Sequence, residues 1–464
     1  MSKNRQNAWI CLCLCVWLQL NLAGRAAETN SLTWHRGTDR VDADMRGMAL
    51  WPLLEKIAVD AGWHIYVEPD ITHTASAKFK DLPSGEALKR LLGDLNFALV
   101  PQTNAVPQLY VFRTVMKNAT QRVVPTKLEA RHVPNELLVR IKPGTDIDAL
   151  AKLLGAKITG RDDKLGLYRL QFEDPNATDA ALAKLKNNSD VLAVDYNYYF
   201  DPPPDAQLIP ASSVPSGAGP VSLTLDPAAP GDPCNPVVGL IDTPVQSLGS
   251  QLDPFILKPI SVAGDSGASG TGPSGLLHGT AMAETILRAI SQVGGGSSPV
   301  RLMSVDVYGA SATTTSWNVA LGIQAAVNHG ATILNLSLGG PSDSPILDSI
   351  IQQAIAAGIP VYAAAGNQPV STPTYPAAIP GVYAVTALGQ PGQLAPYANF
   401  GSFVSLALPG ASVVYLGGQP YIVQGTSPAT AYATGVAAGT RGVNCLTWAQ
   451  IQAAMQQKFA VPQR

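Results

Sequence analysis

Two kinds of hydrophobic pattern run along this chain, and they change over near position 232. Apolar residues recur at helical spacing over Ala49–Ala61, which stops at Gly62, and over Ser84–Leu95. Trp63–Val67 and Gln108–Phe112 are short aromatic and β-branched runs of the strand type. These elements predict a small α/β module over 34–115. A second unit, 125–200, offers strands at Glu136–Ile141, Gly166–Phe172 and Val191–Tyr199 and helices at Asp146–Leu154 and Ala177–Asn187, in the manner of a βαββαβ domain. Residues 201–231 are rich in Pro, Ala, Ser and Gly and read as a linker, where a protease finds easy access. Beyond it, over 232–464, wholly apolar runs alternate with helical stretches. Strands are expected at Val237–Ile241, Val300–Val305, Thr332–Leu336, Val361–Ala364 and Val382–Thr386, and helices at Ala283–Ile290, Thr315–His329 and Pro345–Ala357. That alternation predicts an α/β fold, a parallel sheet with helices on both faces, preceded by two small α+β domains. In such a sheet the reactive residues belong at the carboxyl ends of the strands.

Charge sharpens the boundary. Residues 232–464 carry about 14 charged side chains and residues 28–231 about 47. A net charge of −2 implies no general attraction to nucleic acid or to an anionic membrane. At the amino end, residues 1–26 place Lys3 and Arg5 before an apolar run from Ala8 to about Leu22, then Gly24-Arg25-Ala26. This is the layout of a secretory signal, with a membrane anchor as the competing reading, and it implies export to the periplasm or beyond. Cys11, Cys13 and Cys15 would leave with the signal. Cys234 and Cys445 would remain in an oxidising compartment, either as one disulfide or as two buried thiols. As a disulfide they would close a loop that chain entropy rates at roughly 4–5 kcal/mol.

The candidate chemistry lies in four places. Gly425-Thr426-Ser427 leads into an Ala/Val/Gly-rich helix, whose unpaired N–H groups can receive an oxyanion beside the Ser427 hydroxyl; the plain alternative is an N-cap. Ser427 needs a base, and of the six histidines only His278 and His329 lie in the last domain. His329 ends a helix, where its charge suits the dipole. His278 opens a helix within Leu277-His278-Gly279-Thr280, whose small residues leave the imidazole approachable, or can be a plain helix cap. Asp242 ends the apolar strand Val237–Ile241 and can orient that base, or can be a turn residue. Asn367 ends Val361-Tyr362-Ala363-Ala364-Ala365-Gly366 and can donate an amide N–H to an oxyanion, or can be part of a Gly-Asn turn.

Taken together, Asp242 in Gly-Leu-Ile-Asp-Thr, His278 in His-Gly-Thr, Asn367 in Ala-Ala-Gly-Asn and Ser427 in Gly-Thr-Ser resemble the subtilisin-like serine proteases over 232–464. Asp, His and Ser also follow in that family's order. The resemblance implies a peptidase that acts on polypeptides, with Ser427 as nucleophile, His278 as general base, Asp242 as its orienter, and Asn367 with the Ser427 N–H as oxyanion hole. It implies substrate contacts along Ser337, Leu338, Gly339 and Gly340 and along Ala363, Ala364 and Ala365, by added-strand pairing, with Thr374 near the pocket floor. No acidic residue is evident there, so uncharged side chains are expected in the pocket. No cofactor is implied, and no metal, since the calcium-binding insertion of many subtilisins is not evident in 288–301. The 125–200 unit resembles the family's propeptide, which implies an intramolecular inhibitor. The 34–115 module resembles the secretin and TonB short N-terminal domain, which implies docking to an envelope protein; a spacer is the alternative.

Four positions depart from the subtilisin pattern: Pro244, Ala281, Pro428 and Ala431. Proline disfavours the helical region for the residue before it, so Pro428 bears on Ser427. These departures keep open a second reading, a weakly active or inactive subtilase-fold docking module.

Overall fold

A computed structural model of the chain describes residues 31–35, 39–61, 63–101, 107–123, 131–201, 206–226, 234–264, 275–389 and 392–462. The signal segment 1–26 and the helix stop at Gly62 lie outside them. The chain divides into two units, Met1–Thr126 and Lys127–Arg464.

The first unit extends past the expected 34–115. A three-stranded antiparallel sheet is made by Ser31–His35, Arg40–Ala49 and Thr74–Pro83. A second sheet runs Asn96–Val100, Gln108–Phe112, His64–Val67 and Gln121–Val123, so the module ends only at Val123, which pairs with Ile65. The helices Leu50–Ala61 and Ser84–Leu92 bury Leu53, Leu54, Ile57, Leu88 and Leu91 against Ile65, Leu109 and Val111. The strands Arg40–Ala49 and Thr74–Pro83 are hard to see in sequence because only alternate residues are apolar and charge interrupts the pattern.

The second unit opens with a four-stranded antiparallel sheet of Val191–Phe200, His132–Ile141, Leu167–Gln171 and Lys157–Asp162. The helices Ile147–Leu154 and Pro175–Lys186 pack on it, each opened by an aspartate that accepts a backbone N–H, Asp146 from Ala149 and Asp174 from Ala177.

The large sheet has seven strands, in the order Ile260–Ser261, Arg301–Asp306, Val237–Asp242, Ile333–Leu336, Val361–Ala364, Tyr383–Leu388, Leu406–Pro409. Every neighbouring pair is parallel. Alternate residues feed two cores. Val238, Leu240, Leu302 and Val385 join the helices His278–Gly294 and Thr426–Asn444, whereas Ile241, Met303, Val305 and Leu336 join Ser316–Asn328 and Pro345–Ala356. Burial on both faces is why these strands read as unbroken apolar runs. Chain order reverses at Val237–Asp242, whose neighbours are the later strands Arg301–Asp306 and Ile333–Leu336. Asp242 therefore ends a strand at the switch point where open α/β sheets form crevices.

The linker reading of 201–231 needs correction over its described part. Residues 206–226 are built into the second unit: Gln207–Leu208 pair with Tyr421–Ile422, Thr224–Leu225 with Ser297–Ser298, and Leu223 is fully buried. Short apolar pairs among Pro and Ser carry no periodicity, so the sequence hid this anchoring. Cys234 and Cys445 are bonded, with Cα atoms 4.9 Å apart.

Candidate active site

Two helix mouths face one strand end. The helices His278–Gly294 and Thr426–Asn444 pack closely because position 435 is glycine: a Cβ there would sit 2.5 Å from the Ile286 carbonyl oxygen and 2.7 Å from Ala289 Cβ. His278 is the first residue of one helix and Ser427 the second of the other. Asp242, 1% exposed, ends the strand beside them.

The Nδ1 atom of His278 lies 2.8 Å and 3.0 Å from the two Asp242 carboxylate oxygens. A carboxylate accepts only, so this contact fixes the tautomer with the proton on Nδ1 and leaves Nε2 as the basic nitrogen. Nε2 is buried and has no hydrogen-bond partner among the described residues. The Ser427 hydroxyl, 4% exposed, donates to the Ser337 carbonyl at 3.1 Å, and the Ser337 hydroxyl donates back to the Ser427 carbonyl at 3.1 Å. The structure thus joins acid to imidazole and parks the serine on the residue that follows the strand Ile333–Leu336. Of the row of hydrogen bonds that a triad needs, the first half is present.

Asn367 is held by its carbonyl end: Oδ1 accepts from Thr426 N at 2.8 Å and from Thr426 Oγ1 at 3.1 Å. Its amino end is left facing the mouth of the Ser427 helix. Gly425 precedes that helix at φ +146°, and a Cβ there would stand 3.1 Å from Asn367 Nδ2. Glycine is required on both counts. Ser427 is helical in spite of Pro428, whose missing N–H falls in the first turn, where it has no intrahelical partner.

The wall residues behave unevenly. Leu338 is buried, and a Cβ on Gly339 would lie 3.3 and 3.5 Å from the carbonyl oxygens of Tyr375 and Ala364, a tight but not closed fit. Gly340 needs a correction: it exchanges both backbone hydrogen bonds with Tyr375, at 2.8 and 2.7 Å, so it cannot pair with a substrate strand through them. Ala363 and Ala364 are buried in the sheet, and the Thr374 hydroxyl is spent on the Ala365 carbonyl. The His329 ring meets the Ala325 carbonyl at its helix end, as its place in the sequence implied. Two contributors escaped the sequence reading. Thr426 orients Asn367, and Asn335, fully buried, donates to Ser337 Oγ at 2.9 Å while accepting from Thr434 Oγ1 at 2.9 Å. A polar residue inside an apolar strand was the one signal for Asn335.

The four-stranded unit lies against this domain. Tyr199 and Phe200 pair antiparallel with Thr315 and Thr314, extending its sheet by one strand. Phe200 is buried, 3.6 Å from a Cβ placed on Gly340. Asn197 Oδ1 accepts from Trp317 N at 3.1 Å and so caps the helix Ser316–Asn328. Burial pushes the neighbouring Asp195 carboxyl above the usual range.

Two family models match the chain. Residues 234–462 match the model described as the Subtilase family, and residues 118–197 match the Fervidolysin N-terminal prodomain. The later half of the chain thus matches the subtilase family, and a match to a fervidolysin-type prodomain lies ahead of it. Over 179 residues the chain is 34% identical to Subtilisin Savinase from Lederbergia lenta, covering 38% of this chain and 66% of that one. Over 165 residues it is 36% identical to a thermostable alkaline protease from Halalkalibacterium halodurans, covering 35% and 46%. The matches therefore span between about half and two thirds of these relatives. The crystal structure of fervidolysin from Fervidobacterium pennivorans, a keratinolytic enzyme related to subtilisin, superposes with a TM-score of 0.53 at 18% identity, over 69% of this chain and 57% of that one. This last likeness concerns the fold alone.

Proposed function

We propose that the chain is an exported serine endopeptidase, made as a precursor and capped by its own prodomain. The observation that carries this reading is the buried Asp242–His278 contact, which leaves His278 Nε2 unpartnered beside the helix that holds Ser427. As Ser427 Oγ attacks a peptide carbonyl, Nε2 takes its proton, and Asp242 steadies the imidazolium across Nδ1. The carbonyl oxygen becomes an oxyanion between the Asn367 amide and the Ser427 N–H. His278 then passes the proton to the leaving amine, and water, deprotonated at the same nitrogen, releases the acyl group. The prodomain inhibits by staying paired to the peptidase domain through Tyr199 and Phe200, with Phe200 seated beside Gly340 at the end of the candidate substrate wall. The first unit serves as a docking module for an envelope protein, with the periplasm or the exterior as the working compartment.

A second reading has one observation in its favour, the Ser427 hydroxyl resting on Ser337 and not on the base. A subtilase-fold docking module would keep it there. A serine-directed fluorophosphonate separates the two. An adduct on Ser427 of the processed protein, absent from Ser427→Ala, is expected, together with loss of peptide hydrolysis by about 10⁶-fold in that variant, the factor known for subtilisin itself. A processed protein that takes no adduct would leave the docking module.

A further inference from the structure

We propose that Gln246 is a positioning residue for the base His278, and that it acts through the loop which follows Asp242. The helix His278–Gly294 begins at the histidine, and its N-cap, Leu277, has no side chain able to cap it. The first N–H groups of any helix need acceptors from outside. Here they come from the four residues after Asp242. Thr243 Oγ1 accepts from Gly279 N at 2.7 Å. Gln246 Oε1 accepts from Leu277 N at 2.9 Å and from Thr280 Oγ1 at 3.0 Å. Gln246 N donates to Thr280 Oγ1 at 2.9 Å, and its Nε2 donates to the Gly275 carbonyl at 3.0 Å.

One side chain therefore ties residues 275, 277 and 280, which bracket His278 on both sides. The approach is close: a Cβ on Gly279 would lie 2.0 Å from the Thr243 carbonyl oxygen and 3.1 Å from that of Pro244. Acid and base are joined twice, once by carboxylate and imidazole and once by this brace a few residues downstream. Pro244, with φ fixed by its ring, stiffens the span between the two bracing side chains. The brace uses both ends of a neutral amide. A carboxylate keeps the two accepted bonds and loses the one donated, while a thioether of the same length keeps none.

The kinetic part of this proposal rests on the peptidase reading, so the test separates the two. Gln246→Met is expected to lower kcat about 10- to 100-fold with KM little changed, because the imidazole is misplaced while the substrate walls are not. Gln246→Glu is expected to regain most of kcat and to raise the pH at which the acid limb falls, since a nearby negative charge favours the imidazolium. Thr280→Val, which removes one contact, is expected to fall between wild type and Gln246→Met and supplies the same comparison should Gln246→Met fail to fold. Folded Gln246→Met or Thr280→Val protein with wild-type kcat and pH profile would overturn the proposal. A readout independent of turnover is the low-field proton resonance of His278 Nδ1. It is expected in wild type and to be broadened by solvent exchange in Gln246→Met; equal resonances in the two would also overturn the proposal. If wild-type protein takes no fluorophosphonate, the peptidase reading fails, and the resonance still decides the role of Gln246.

Discussion

Gly160 of the prodomain is a point where one methyl group should change latency. It lies in the edge strand Lys157–Asp162, and a Cβ there would come 2.6 Å from Trp317 Cζ2 and 3.1 Å from Arg169 Cβ. Carbon contacts under about 3 Å lie deep in the repulsive wall, so something must shift. Trp317 has little freedom. It is 6% exposed, the Arg169 guanidinium lies over its ring at 5.4 Å, and its backbone N–H donates to Asn197 Oδ1. Overpacking of this kind costs about 1–3 kcal/mol. Where the cost falls on the contact between prodomain and peptidase domain, it weakens capping by about 5- to 150-fold, at about 1.4 kcal/mol per factor of ten. Gly160→Ala precursor should therefore expose a fluorophosphonate-reactive Ser427 sooner than wild type, with an earlier change in tryptophan emission as Trp317 becomes solvated. The proper control is far-UV circular dichroism at zero time, because a misfolded prodomain would also release the site. Folded Gly160→Ala precursor that acquires reactivity at the wild-type rate would refute the packing argument and the view that this interface sets latency.

Two further outcomes are expected. Asn367→Ala should lower kcat by about 10²–10³-fold, the range known for this donor in subtilisin itself, with KM near wild type; steady-state hydrolysis of a peptide substrate checks it. Glu284 is buried on the His278 helix, accepting from Tyr415 N at 2.7 Å and from Arg288 at 3.2 Å, and burial pushes its carboxyl up to about 6. A carboxyl whose folded value is raised above the ordinary 4.5 holds its proton more firmly when folded, so its contribution is greatest below about pH 4.5 and is lost as pH rises through about 6. The difference amounts to about 2 kcal/mol. Urea unfolding at pH 4.5 and pH 7 should show that part of the pH dependence vanish in Glu284→Gln, and a variant with the full wild-type slope would contradict the assignment.

The legible part of this chain was the part that burial writes into sequence. Strands covered by helices on both faces become unbroken apolar runs, so Val237–Asp242 and Val361–Ala364 could be read within a residue of their ends. The candidate site residues stood out in the sequence for a related reason. A polar residue at the end of such a run, as with Asp242 and Asn367, has no packing role to explain it. What escaped was whatever depends on which segments meet. Arg40–Ala49 and Thr74–Pro83 pair with each other across an intervening helix, and neither carries a pattern of its own strong enough to announce it. Leu223 lies in a Pro/Ser-rich stretch that resembles a linker until it joins the main core together with Val221 and Ala206.

The two prolines that set this chain apart from the subtilisin pattern show the same limit from the other side. Sequence alone weighs Pro428 both ways, as tolerable in a first helical turn and as a threat to the helical state of Ser427. In the structure it occupies the first turn, where no carbonyl four residues back awaits its nitrogen, and the local preference yields to the packing of the helix Thr426–Asn444 against His278–Gly294. Pro244 is another of the departures, two residues after Asp242. It stands between Thr243 and Gln246, the two side chains that close the mouth of the base helix. A residue that looks damaging to a motif can thus belong to a different way of holding Asp242 against His278. The distinction is made by where the neighbouring hydrogen bonds end, and that is a property of the fold.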